Sequence, residues 1–77
     1  MDRALWTKHL ARAERHVTTA ERNLAHQRAL VTELQRHGHS TRTARSILKA
    51  YEELLAMLYA DRDRIRNDLA INSRRRR

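Results

Sequence analysis

Five histidines are the residues of this 77-residue chain whose chemistry is most easily judged from their spacing. His9 and His16 are seven residues apart and would share one face of a helix, while His37 and His39 bracket the only glycine. A zinc site needs three or four converging ligands, most recognisably two histidines four residues apart with a carboxylate nearby. None of the five histidines has that spacing. We therefore expect surface histidines, with no metal and no cofactor.

The hydroxyl and carboxylate side chains lack the arrangements that catalysis requires. Ser40, Ser46 and Ser73 have no ordered histidine and aspartate around them in the sequence. The neighbours Glu52 and Glu53 would diverge by about 100° on a helix, so they cannot act as a pair of carboxylates. The sequence therefore favours a protein that is not an enzyme.

The strongest charge feature is the C-terminal run Arg74, Arg75, Arg76 and Arg77. The chain has 17 Lys and Arg against 9 Asp and Glu, a net charge of +8, and this run supplies half of it. A terminal arginine run can contact phosphates without sequence preference. Two interpretations stay open: phosphate contact, or a solvated, disordered basic tail over residues 73–77. No recognition helix, zinc finger or interleaved aromatic residues accompany the run, so nucleic acid is the less favoured partner.

The overall composition limits the fold that can position these residues. A chain of 77 residues is a single domain, and it contains no proline, no cysteine and one glycine. The sequence therefore disfavours turn-rich β folds, and the lack of cysteine excludes disulfides. No stretch approaches the ~18 apolar residues of a membrane-spanning helix, and the first residues do not resemble a signal peptide. We expect a cytoplasmic protein.

The first half of the chain carries a heptad pattern that predicts one long helix, from about residue 2 to 37, with Asp2 as its N-cap. Spacings of four and three alternate, which is the period of a packed helical seam. The seam positions are Trp6, Leu10, Ala13, Val17, Ala20, Leu24, Gln27, Val31 and Leu34.

A turn at about residues 38–40, centred on Gly38, separates this helix from a second one, predicted at about 41–71. Its seam positions are Ala44, Leu48, Tyr51, Leu55, Leu58, Arg62, Ile65 and Leu69. Two helices of equal length joined by a short turn must fold back on each other. We therefore predict an all-α antiparallel hairpin over residues 1–72, pairing residues whose numbers sum to about 78.

One hairpin seam cannot cover all the apolar residues. Ile47, Leu54, Met57 and Tyr59 lie beside the seam of the second helix, and Leu30 lies beside that of the first. A short chain without disulfides usually needs a partner to bury enough surface. We therefore predict a small interaction module in which Ile47, Leu54, Met57 and Tyr59 contact a second copy, forming a four-helix bundle, or a partner protein. The alternative function is a nucleic-acid-associated protein that uses the arginine tail and basic helix faces.

Arg62 is the one charged residue on the seam of the second helix, opposite Val17. Two outcomes stay open for its guanidinium. It either pairs with Glu14 or Glu21 across the hairpin, because a buried charge needs a partner, or it extends along the apolar surface to water.

Several short motifs between His9 and Leu69 resemble a group of short helical proteins of rhizobia-type alphaproteobacteria. They are His9-Leu10 with Ala13-Glu14-Arg15-His16-Val17, then Glu21-Arg22, Gln27-Arg28, Gly38-His39, Tyr51-Glu52-Glu53 and Asp61-Arg62-Asp63-Arg64. The arginine run lies outside the resemblance. The group has no known activity, so the resemblance implies a bacterial, cytoplasmic, helical protein and nothing more specific.

Overall fold

Two helices of 34 residues each, packed side by side as a hairpin, make up the fold. The computed structural model describes residues 2–75, with the side chains of residues 2–72. Helix α1 spans Arg3–Arg36 and α2 spans Arg42–Arg75. The molecule is a rod of 62 × 14 × 13 Å. The predicted all-α hairpin is confirmed.

Helix α1 begins at the predicted cap. The Asp2 carboxylate accepts hydrogen bonds from the backbone N–H groups of Ala4 and Leu5, at 3.0 and 3.3 Å. These are two of the four N–H groups that a helix start leaves without a partner within the helix. Asp2 therefore determines where the helix starts.

The turn ends α1 through a Schellman motif with Gly38 in the left-handed conformation, at φ 72°. The N–H of His39 donates to the carbonyl of Leu34 at 2.9 Å, and that of Gly38 donates to Gln35 at 3.1 Å. Helix α2 then starts at the hydrogen bond from the N–H of Arg45 to the carbonyl of Thr41, at 2.8 Å. The chain reverses direction within five residues because glycine adopts the positive φ without steric cost.

The buried residues follow the predicted seams. In α1 they are Ala13, Val17, Ala20, Leu24, Gln27 and Val31, and in α2 they are Ala44 and Leu55. Leu48, Tyr51, Leu58 and Tyr59 pack at the edge of this core. The alanines of α1 let the helices approach closely, so that the larger α2 side chains fill the space between them.

Helix α2 runs further than the predicted end at residue 71. It continues through Arg75, so the backbone of residues 73–75 is helical where the sequence predicts a disordered tail. Nothing in this segment stops a helix, because the chain after Gly38 contains neither glycine nor proline. Arg76 and Arg77 lie outside the described residues.

Candidate interaction surface

The two flanks of the hairpin, where α1 and α2 meet on either side of the seam, differ in chemistry. One, called here the polar flank, carries three cross-helix contacts spaced seven residues apart on both helices. The contacts are Glu14 with Arg66 at 3.5 Å, Glu21 with the Tyr59 hydroxyl at 2.5 Å, and Arg28 with Glu52 at 3.8 Å. In each pair the residue numbers sum to 80, within two of the predicted register. Exposed ion pairs contribute little to the free energy of unfolding. These contacts therefore show how the two helices are aligned but do little to hold them in that alignment.

Tyr59 is the centre of the polar flank. Its hydroxyl donates to the Glu21 carboxylate, and its ring packs against the core formed by Val17, Ala20, Leu24 and Leu55. The hydrogen bond to Glu21, followed by partial burial, raises the pKa of the Tyr59 phenol above its ordinary value, although the positive charge of Arg62 acts in the opposite direction.

Arg62 does not form the predicted ion pair with Glu14 or Glu21. Its guanidinium lies 5.0 Å above the centre of the Tyr59 ring and 2.9 Å from the carboxylate of the next residue, Asp63. Glu14 and Glu21 are taken by Arg66 and Tyr59 instead. The aromatic ring, which the seam pattern does not reveal as a cation partner, stabilises Arg62 beside the core.

The opposite flank, called here the open groove, has two adjoining depressions between the helices. The depression nearer the termini is lined by His9, Arg12, Ala13, His16, Leu58, Asp61, Arg64 and Ile65. The one nearer the turn is lined by His16, Thr19, Ala20, Asn23, Leu54 and Leu58. Their volumes of about 230 and 260 Å³ are below the ~300–1,000 Å³ of small-molecule pockets.

Most of the large apolar side chains that remain exposed lie on the groove side of the hairpin. Ile47 and Leu54 are 41% and 45% exposed, and Leu30 is 47% exposed on the facing edge of α1. Leu5 continues this edge near the N-terminus and is 48% exposed. At 100° per residue, each of these positions points to the same side of its helix seam. Near the turn, Leu30, Ile47 and Leu54 therefore form an exposed apolar patch, which is typical of an interaction site, while His9, His16 and Asp61 separate this patch from Leu5.

The structure brings together two of the four residues predicted to contact a partner. Ile47 and Leu54 lie along the open groove. Met57, 64% exposed, is two residues after the buried Leu55 and is therefore turned to the outer face of α2, and Tyr59 lies on the polar flank with its ring against the core. Four residues after Leu55, Tyr59 is turned to the side of the seam opposite Leu54. Sequence reasoning missed Leu5 and the polar rim formed by Arg12 and its neighbours. The seven-residue series His9, His16, Asn23 and Leu30 was the signal that could have identified that rim.

Among the histidines, His9 and His16 line the same depression of the open groove, while His37 lies beside the turn. Among the residues that the structure describes, no group of three or more His, Asp or Glu side chains could hold a metal ion. The ring of His9 packs edge-on to Trp6 with 5.8 Å between centroids, and Nε2 of His37 lies 3.1 Å from the Glu33 carboxylate. No helix over the described residues is long and apolar enough to cross a membrane.

In comparisons with protein-family models, curated proteins and solved structures, none matches this chain. The resemblance to short proteins of rhizobia-type alphaproteobacteria therefore stays a prediction.

Proposed function

We propose that this chain is a small, non-catalytic interaction module that self-associates through the open groove, so that two hairpins form a four-helix bundle. The observation that carries the proposal is the asymmetry of the hairpin. One flank is closed by polar contacts between its own helices, while the other leaves Leu30, Ile47 and Leu54 exposed near the turn. In a four-helix bundle, apolar residues beside the seam of one helical pair are covered by the helices of the other pair.

The exposed area of the hairpin supports a need for a partner. A compact monomer of 9.2 kDa exposes about 4,900 Å², whereas this chain exposes 6161 Å². Among the described residues, no large side chain is fully buried. The elongated hairpin therefore exposes about 1,200 Å² more than a compact chain of the same mass, area that packing against a second hairpin would reduce.

A second copy fits the groove because the groove is complementary to itself. Its rim carries both signs of charge, with Arg12 and Arg64 beside Asp61, together with the apolar Ile47 and Leu54. A two-fold contact can therefore place acid against base and leucine against isoleucine. A strongly acidic or strongly basic partner would leave charges of its own sign opposed.

Paired substitutions of two equally exposed isoleucines provide the test. Ile47 and Ile71 are both 41% exposed and both lie in α2. Ile47 lies on the groove rim, while Ile71 is sixteen residues beyond the buried Leu55 and turned to the opposite face. We expect Ile47→Lys to weaken self-association at least tenfold, measured by sedimentation velocity over a dilution series. Ile71→Lys should leave it unchanged.

The same series identifies the outcomes that contradict the proposal. A wild-type mass that stays monomeric at high micromolar concentration, with a melting temperature insensitive to dilution, would exclude self-association. Equal loss of association in both variants would mean that contact does not occur through the groove. Another outcome is that wild-type chains stay monomeric and bind a different protein through Ile47 instead. That result would identify a partner helix as the occupant of the groove and would contradict self-association.

A further inference from the structure

The rims of the open groove change character along the length of the hairpin. Each helix contributes a line of four residues at seven-residue spacing, which keeps them on one edge of the helix. From the termini toward the turn, the α1 line is His9, His16, Asn23 and Leu30, and the α2 line is Asp68, Asp61, Leu54 and Ile47. Residues at the same level have numbers that sum to 77. Toward the termini, histidine therefore lies level with aspartate twice, whereas toward the turn Asn23 lies level with Leu54 and Leu30 lies level with Ile47.

We infer that two hairpins associate with their turns at the same end, around a two-fold axis parallel to the helices. This inference rests on the proposed self-association and adds its orientation. In this arrangement the α1 line of one hairpin packs beside the α2 line of the other. His9 then faces the partner's Asp68, and Leu30 faces the partner's Ile47. Each rim residue therefore faces, on the partner, the same residue that lies level with it across the groove of its own hairpin.

The reversed orientation, with the turns at opposite ends, places unlike residues together. Each line then packs against its own copy running in the opposite direction. Ile47 would face the partner's Asp68, and Leu54 would face the partner's Asp61. A carboxylate packed against an aliphatic side chain loses hydration and gains no partner across the interface, and Asp61 would keep only its ion pair with Arg64 of the same helix, at 3.6 Å. The distribution of charge along the groove therefore selects the orientation with both turns together.

The absence of cysteine from the chain allows a direct distance measurement. A single cysteine introduced as His39→Cys carries a spin label at the exposed turn, and one introduced as Arg22→Cys carries it near the midpoint of α1, on the exposed face that points away from the seam. We expect double electron–electron resonance to give a turn-to-turn distance below about 25 Å, since packed helices lie 8–10 Å apart. The midpoint label should also give a short distance.

The two labels separate failure of the orientation from failure of the proposed function. A short midpoint distance with a turn-to-turn distance near the 62 Å length of the rod would overturn the inferred orientation and leave self-association intact. Absence of any dipolar distance at both sites, with a monomeric mass, would overturn both. Neither labelled side chain lies in the buried seam, so both variants should keep the helical content of the parent chain.

Discussion

Gln27 is the buried polar residue that ties the two helices together near the turn. It is 9% exposed, and its Nε2 donates to the carbonyl oxygen of Ala44 at 2.9 Å. In the predicted register Gln27 lies opposite Tyr51. Its side chain instead bonds to the backbone of Ala44, seven residues nearer the turn. A buried amide with a satisfied hydrogen bond favours one alignment of the two helices, because sliding would leave it unpaired.

Replacing this donor by an acceptor should be more damaging than removing it. We expect Gln27→Glu to lower the free energy of unfolding by about 1–3 kcal/mol at neutral pH, because a carboxylate cannot donate to Ala44 and loses hydration. Gln27→Met keeps the size of the side chain and should cost less. Urea denaturation at one fixed chain concentration measures both. Equal stability of wild type and Gln27→Glu at pH 7 would contradict this role.

Tyr59 predicts a pH dependence at the alkaline end. Its pKa is raised in the folded chain by the hydrogen bond to Glu21, so the folded state holds the phenolic proton more tightly than the unfolded state. The hydrogen bond between Tyr59 and Glu21 therefore contributes fully to the free energy of unfolding below the ordinary tyrosine pKa of 10.0. This contribution is lost as the pH rises through the higher pKa that Tyr59 has in the folded chain.

Comparison with a variant that lacks this hydroxyl isolates the effect. The difference in unfolding free energy between wild type and Tyr59→Phe should be constant from pH 7 to 9 and shrink above about pH 10. Glu21→Gln should bring the Tyr59 pKa back toward its ordinary value, because it removes the carboxylate acceptor. A difference that grows above pH 10 would show that the interaction has been assigned the wrong sign.

At the scale of elements, the end of α1 depends on the conformation of a single residue. Gly38 has a φ of 72°, and a Cβ placed on it would meet no atom within 4 Å. The cost of a side chain there is therefore conformational and not steric contact with neighbours. We expect Gly38→Ala to destabilise the hairpin by about 1–2 kcal/mol.

Asparagine is the matched control at this position, since it tolerates the left-handed region better than alanine. Thermal melts should rank wild type above Gly38→Asn, and Gly38→Asn above Gly38→Ala. Alanine has the higher helix propensity, so an alanine variant as stable as wild type would mean that α1 continues through the turn instead of ending at His37.

At the scale of the whole molecule, the distribution of charge distinguishes the proposed self-association from nucleic-acid binding. Half of the net charge of +8 lies in the four terminal arginines, and the remaining body of the chain is only mildly basic. Apolar contact persists at high salt, while binding to phosphates weakens steeply as counterions compete.

We expect the self-associated mass to stay the same between 0.1 and 1 M sodium chloride, within roughly a twofold change in dissociation constant. Deletion of residues 74–77 should leave that mass unchanged as well. Sedimentation velocity measures both, with the Ile47→Lys variant as the control for lost association. Dissociation at high salt, or on deletion of the arginines, would show that charge holds the assembly together.

The amino-acid sequence by itself determined the local and periodic features of this protein. The start of α1 at Asp2, its end before Gly38 and the seam from Ala13 to Val31 depend on capping chemistry and helical spacing, which are local properties of the chain. The register was predictable to within two residues because two equal helices joined by a short turn have only one way to align.

Only the tertiary structure decided which flank of the hairpin is closed. Tyr59 and Leu54 are both beside the seam in sequence, yet one bonds to Glu21 and the other remains 45% exposed. Arg62 likewise lies over the Tyr59 ring instead of pairing with Glu14 or Glu21. Periodicity shows which residues lie near a seam, but the packing of one helix against the other determines the side to which each turns and the partner it meets.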